Sequence, residues 1–467
     1  MTGMSAVPAR PDSSATGRLS RRQMNGLLVA ALAGALAACG PSINGDSGSG
    51  GAAKTDLLKA PTGDPSGEIV IWDRSGDLFK VFKAAIPAFN QKYPNIKVRH
   101  EAVDIDAKLQ NTLITGTDVP DGVFLDDAKV GGFSEYLWDL KDVLKPYLPD
   151  IAPQKVAVSS LGGGIYGVPY DLDPGLLFYN EKALKAAGVD VEAIETYDDL
   201  LAAARKYQEY RPGSGPIHLE QSAFLGQLQL EMFAGQLGTA LAGGDGQLQL
   251  DSPAYTKILT WLDTVSKEKL GTRAEYLTPG DVGALESGDQ VFYPWAIWFS
   301  YAPQQQLPKT SGDWRAMPLP AWEPGGARSG AMGGSSFVLP KAGANSGLAW
   351  LFYEFLMFDE AGYEAVWGPN DVYPQGLNTS IPSYRPAANP DKPLFKPLEA
   401  LGGQDLWATA TAAGLQIPAG AAIPAWWSGA VDYLGNDLQR MLDGDLTPAQ
   451  VIDQAGPDIQ KNLIDRS

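Results

Sequence analysis

The sequence predicts an α/β fold, an open and mostly parallel sheet flanked by helices. Short apolar runs at residues 68–72 (EIVIW) and 122–125 (GVFL) have the character of strands buried on both faces. Between them the apolar period lengthens to that of a helix, so the order is β-α-β-α-β. The 467 residues are two to three times a usual domain length, which favours two such units over one.

The elements follow in order. Asp77 is placed to cap a helix whose apolar positions Leu78, Phe82, Ala85 and Phe89 recur at helical spacing until Tyr93-Pro94. Residues 96–102 alternate, with Ile96, Val98 and His100 on one face, where a lone His is expected to be a satisfied, half-buried sheet residue. A helix over 106–115 leads to the strand 122–125, which ends in Asp126-Asp127. Residues 162–167 (GGGIYG) match G-x-G-x-x-G, but Pro169 and Pro174 forbid the helix that a dinucleotide site requires. They are expected to form a turn between two strands, followed by an extended segment over 174–180 and a helix from Glu181. Helices are predicted over 197–210, 222–237 and 253–267, then a strand over 290–293 and an aromatic loop over 294–299. A strand over 335–339, an apolar helix over 346–358 and a helix over 425–442 opening on Trp426-Trp427 come next. Thr447-Pro448-Ala449-Gln450 has the capping pattern of a final helix.

Composition thins the function classes. A net charge of −18 disfavours binding to nucleic acid or to anionic lipid, since both need clustered Lys and Arg. One Cys and two His exclude a disulfide framework and His-rich or Cys-rich metal sites, and no cofactor or metal is expected. At the N-terminus, Arg10, Arg18, Arg21 and Arg22 precede a twelve-residue apolar run, residues 27–38. As a helix that run rises ~18 Å, short of a ~30 Å hydrocarbon core, so it is the core of a signal peptide over 1–38. Leu36-Ala37-Ala38-Cys39 resembles a bacterial lipobox, which makes Cys39 the lipidated first residue of the mature chain. Ser20-Arg21-Arg22 resembles a twin-arginine signal, the alternative being an ordinary basic segment, with Met24 where the pattern prefers Phe. Residues 39–66, rich in Gly and Ser at their start, are expected to be a flexible tether.

The order of blocks carries a resemblance. A strand ending in Trp72-Asp73 is followed by residues 79–94 (FKVFKAAIPAFNQKYP), 121–127 (DGVFLDD), 164–180 (GIYGVPYDLDPGLLFYN), 292–298 (FYPWAIW) and 333–340 (GGSSFVLP). Together with the lipobox they resemble the carbohydrate-type extracellular solute-binding lipoproteins of ABC importers, solute-binding family 1, relatives of the maltodextrin-binding protein. The resemblance implies a two-lobed, type II-like periplasmic-binding-protein fold with a hinge of crossing strands. Lobe one would comprise 67–170 and 330–380, and lobe two 171–328 and 381–467. It also implies a monomer that closes on a sugar or oligosaccharide and presents it to an ABC permease, held to the membrane by its lipid alone, with no enzymatic activity.

A sugar site needs carboxylates that accept hydroxyl protons and aromatic rings that cover C–H faces. Ligands of open α/β sheets bind beyond the carboxyl ends of the strands, which singles out Trp72, Asp73, Asp126 and Asp127. If the chain stays extended, Asp126 and Asp127 point to opposite faces and one of them touches ligand. The resemblance adds Tyr170 and Asp171 at the first hinge crossing, Tyr373, and Trp295, Trp298, Trp426 and Trp427 in cleft-lining blocks. Gln221 precedes a helix, and Gly333 and Gly334 would let backbone N–H groups approach the ligand. Trp295, in a Pro-flanked loop, is expected to face the ligand, whereas Trp261 and Trp350, in amphipathic helices, are expected in the core. The rival readings are a lipid-anchored glycoside hydrolase using two such carboxylates, and the same fold binding a polyamine.

Overall fold

The computed structural model describes residues 56–244, 246–420 and 422–466. The signal peptide, Cys39 and the tether up to Thr55 lie outside the described residues. The last part of the expected tether is instead pinned to the body. Leu58 is buried, its N–H donates to Asp139 O at 3.0 Å, and Asp139 N–H donates back to Asp56 O at 3.1 Å.

The chain opens with β1 (Gly67–Asp73), α1 (Asp77–Lys92), β2 (Ile96–Ala102), α2 (Ile105–Thr115), β3 (Gly122–Asp126) and α3 (Asp127–Phe133). A short helix α4 (Pro153–Val158) and the strand β4 (Val168–Pro169) follow. Beyond β5 (Asp171–Leu172) come β6 (Gly175–Asn180), α5 (Tyr197–Tyr210), β7 (Ile217–Glu220) and α6 (Ala223–Gln236). Next are α7 (Pro253–Lys267), β8 (Gly271–Ala274), β9 (Phe292–Ala296) and β10 (Trp314–Pro318). The chain then supplies β11 (Ser335–Val338), α8 (Ser346–Phe358), α9 (Glu360–Trp367) and β12 (Ile381–Pro382). It ends in α10 (Leu406–Gly414), α11 (Leu434–Leu442) and α12 (Pro448–Ile459).

Among the described residues these strands make two five-stranded sheets, ordered β2-β1-β3-β11-β4 and β8-β7-β9-β6-β10. In the first, β2, β1 and β3 are parallel, and β11 runs against both β3 and β4. In the second, β8, β7 and β9 are parallel, and β6 runs against both β9 and β10. Each sheet thus has four strands pointing one way and one reversed. The reversed strand is in each case the one that follows a passage from the other sheet. The α/β class and the mostly parallel character are as the sequence predicts.

The passages form a hinge of three strands tied together. β5 pairs antiparallel with β12 through Leu172 and Ile381, and Pro174 bridges Ala331. Gly175 N–H donates to Gly330 O at 2.7 Å, and Ser383 Oγ donates to Pro169 O at 2.7 Å. The sheets have separate cores. Around the first, Phe82, Phe124, Tyr170 and Phe337 interlock, with Tyr170 meeting Phe82 and Phe124 edge-on at 5.3 and 5.2 Å. Around the second, Trp261, Trp295, Trp314 and Trp407 are buried.

Two element predictions are corrected. Residues 294–296 are not loop: Pro294 and Trp295 sit in β9 opposite Leu177 and Leu176. The segment opening on Trp426-Trp427 is a 3-10 turn, Trp427–Asp432, before α11 begins. The rejected glycine run does turn between two short strands, Ser160–Leu161 and Gly164–Ile165. The Thr447–Gln450 capping box is present, and Trp261 and Trp350 are buried as expected.

Candidate functional site

The carboxyl ends of β1 and β3 and the N-termini of α3 and α4 face α6 of the other sheet, with the hinge as floor. Two cavities of about 610 and 290 Å³ lie in this cleft and share Ala128, Leu228 and Gly333. The larger is walled by Asp127, Gln154 and Lys155 on one side, and by Glu231, residues 238–240 and 242–244 and Trp427 on the other. The smaller is walled by Arg74, Asp126, Asp171, Asp173 and Ser335, facing Phe224, Leu225 and Trp298.

Strand alternation decides which of the expected residues arrive there. β1 runs one residue past its apolar run, so Ile69, Ile71 and Asp73 point to one face and Val70 and Trp72 to the other. Trp72 is thereby buried in a small core with Leu109 and Val123, its Nε1 donating to Glu101 Oε2 at 3.2 Å. Asp73 is fully buried 3.3 Å from His100 Nε2, and the His100 ring stacks on Phe79. Neither Trp72 nor Asp73 borders the cleft. Arg74, the next residue, does.

Tyr170 lies at the hinge, but its ring is locked in the first core, stacked on Trp367 at 4.8 Å. Trp295 is fully buried in β9 among His218, Tyr276 and Trp298, so it offers no face to a ligand. Trp298, three residues on and outside the strand, is the member of that cluster that reaches a cavity. Of the Trp426-Trp427 pair, Trp427 borders the larger cavity, while Trp426 packs into the second core. Gln221 is exposed and Tyr373 packs against the first core, and neither borders either cavity.

The acidic corner is brought together as a network. β3 ends at Asp126 and α3 begins at Asp127, so the two carboxylates diverge but both meet the cleft. Asp126 is paired with Arg74 and, at 3.1 Å, with Lys129. Burial alone would raise its pKa, but the two cations outweigh that and hold it below the usual carboxylate range. Asp127 is buried, pairs with Lys155 and accepts from Ser336 Oγ at 2.7 Å. Lys155 Nζ also donates to Ser335 O at 3.1 Å and lies 3.5 Å from Asp171. Burial opposes its charge, but Asp127 and Asp171 raise it above the ordinary lysine range. Asp171 accepts from Ser335 N–H at 2.9 Å, and burial pushes it to about 6 against the pull of Lys155.

The sequence reading missed Arg74, Lys155, Asp173 and Glu231. Asp173 is 7% exposed, its Oδ1 has no hydrogen-bond partner, and burial followed by Asp171 pushes its pKa well up. Glu231 on α6 accepts from Tyr255 OH at 2.5 Å and from Leu241 N–H at 3.0 Å, which anchors the 238–244 wall. Burial raises it to about 7. A signal for Asp173 was present, since it lies between Asp171 and Pro174 in the segment assigned to the crossing.

At Gly334, φ is +110° and an added Cβ would stand 2.7 Å from Asp127 Oδ2 and 2.8 Å from Lys155 Nζ. Glycine there lets the hinge approach the buried ion pair, which is a structural use beside the ligand contact expected of it.

Residues 72–363 match the model of a family described as bacterial extracellular solute-binding protein. An arabinooligosaccharide-binding protein of Halalkalibacterium halodurans is 27% identical over 319 residues, 64% of this chain and 69% of that one. A lactose-binding protein of Rhizobium radiobacter is 25% identical over 377 residues, 76% of this chain and 83% of its own. In structure, the sugar-binding protein MalE of Xanthomonas citri superposes with a TM-score of 0.71 at 19% identity, covering 86% of this chain and 98% of that one. The galacto-N-biose-/lacto-N-biose I-binding protein of Bifidobacterium longum gives 0.69 at 18% identity, over 86% and 99%. At such identities the structures speak for the fold.

Proposed function

The chain belongs to the bacterial extracellular solute-binding protein family, and from that premise we propose that it captures an oligosaccharide in the cleft over its hinge for an ABC importer. The observation that carries the ligand class is the make-up of the opposed walls. One side brings Asp126, Asp127, Arg74 and Lys155, and the other brings Phe224, Trp298 and Trp427. A sugar presents hydroxyls to the first kind of wall and C–H faces to the second. The larger cavity, about 610 Å³, falls within the ~300–1,000 Å³ usual for small-molecule sites. The sugar-binding relatives support the same class.

Capture works by closure. Each wall belongs to a different sheet, so a ligand touching both favours the state in which they approach, and the three tied hinge strands are where the backbone bends. The permease reads the closed shape. Cys39 carries the lipid that keeps the protein at the outer face of the membrane.

The test is thermal unfolding against arabino-oligosaccharides, lactose and maltodextrins. A ligand at 100 times its Kd adds ~2.7 kcal/mol, a shift of several degrees at most for a chain of this size. A shift with one sugar, recovered intact, supports the reading. No shift with any saccharide overturns the ligand class, and sugar consumed during incubation would make the protein a hydrolase.

A further inference from the structure

The cations around the smaller cavity are already engaged. Arg74 is held by Asp126 and donates to Ser335 Oγ at 2.8 Å. Lys129 bridges Asp126 and Asp106, and Lys155 is enclosed by Asp127, Asp171 and Ser335 O. Asp173 is left over. It is 7% exposed, borders the cavity, and its Oδ1 has no donor within reach. A buried acceptor left unmatched carries its full desolvation penalty, larger if it is charged, unless something entering the cavity satisfies it. Trp298 and Phe224, from the other sheet, line the same cavity.

We propose that the smaller cavity is a cation subsite, and that the ligand is an oligosaccharide bearing a protonated amine, which Asp173 and Asp171 hold against Trp298. This rests on the oligosaccharide reading above and deepens it. A carboxylate pair facing aromatic rings is the environment an ammonium group favours, through charge-assisted hydrogen bonds and attraction to the ring faces. A neutral hydroxyl would satisfy the Oδ1 acceptor but leave the surplus of carboxyl over cation in place. An organic cation is indicated over a metal, because among the described residues no group of three or more His, Cys, Asp or Glu is arranged to hold a metal ion. In the empty cleft burial and Asp171 push the Asp173 carboxyl well up, against the opposing pull of Lys155 and Arg74 and with Asp127 adding to the rise. An ammonium group seated there favours the ionised carboxylate, so its binding is linked to proton release from Asp173.

The test compares the glucosamine dimer, its N-acetylated form and spermidine by titration calorimetry on the purified protein and its Asp173→Asn variant, in two buffers of different ionisation enthalpy. The expected result is at least tenfold tighter binding of the amine, with release of up to one proton, and a preference that collapses toward one in Asp173→Asn. The variant's folding is read from its unfolding midpoint, which should not fall, since Asn keeps the side chain's shape and removes a buried acid whose Oδ1 has no donor. Equal affinity for the two dimers overturns the cation subsite and leaves the oligosaccharide reading standing. An amine preference that survives Asp173→Asn also overturns it. Binding of spermidine with no saccharide binding at all keeps the cation subsite and overturns the sugar reading.

Discussion

Replacing Lys155 by Met keeps the side-chain bulk and removes the charge that holds the cleft floor together. Lys155 is 4% exposed and meets Asp127, Asp171 and Ser335 O. Without it Asp127, itself 2% exposed, keeps only Ser336 Oγ and its α3 surroundings. Orphaning one partner of a buried pair costs ~3–5 kcal/mol. For the ~410 residues of the folded body, an unfolding entropy of ~2.1 cal/mol/K per residue is ~0.86 kcal/mol/K, so the expected fall in Tm is ~4–6 °C. The loss should be smaller at pH 5 than at pH 8. Asp171, pushed up to about 6 even with Lys155 pulling it down, rises further without that cation, so the variant binds protons more readily when folded and its deficit is relieved as pH falls through that value. Scanning calorimetry of both proteins at the two pH values is the assay. A fall under 1 °C, or a deficit that grows on acidification, would refute the view that Lys155 compensates the buried acids.

Trp298→Ala should weaken saccharide binding at least tenfold with the fold intact, whereas Trp295→Ala should cost ~3–5 kcal/mol of stability through an unfilled core; calorimetric titration and urea unfolding separate the two. Glu231→Gln should flatten the pH dependence of stability between about 4.5 and 7. The wild-type carboxyl, raised to about 7, contributes stability fully below the unfolded value and loses it as pH rises through the folded one, which urea midpoints across that range would read. Cys39→Ala should leave ligand affinity unchanged and move the protein from the membrane fraction to the soluble one, and retention in membranes would refute the lipid anchor.

Much of the fold was legible because its elements are locally coded. The apolar run of β1, the helical spacing of Leu78, Phe82, Ala85 and Phe89, and the Thr447 capping box each specify their structure within a few residues. The site was legible by region and less so by residue. Asp126, Asp127, Asp171, Trp298, Trp427, Gly333 and Gly334 border the cavities, while Trp72, Asp73, Tyr170 and Trp295 are in cores. These four lie at or just beyond strand ends. There a side chain's face changes with every residue, so one residue in the length of β1 or β9 decides between core and cleft. Pro294 suggested a loop, yet it sits in β9, where its carbonyl accepts from Gln229 Nε2 at 3.0 Å.

By itself the sequence determined the α/β class, the alternation of strands and helices and the family, since all of these are carried by short-range periodicity and by the order of blocks. Only the tertiary structure decided which charges meet. Lys155 reaches Asp127 and Asp171 across 28 and 16 positions and Ser335 across 180. Such pairings depend on three chain passages closing on one hinge, and no local pattern in the chain encodes how that hinge leaves Asp173 without a partner.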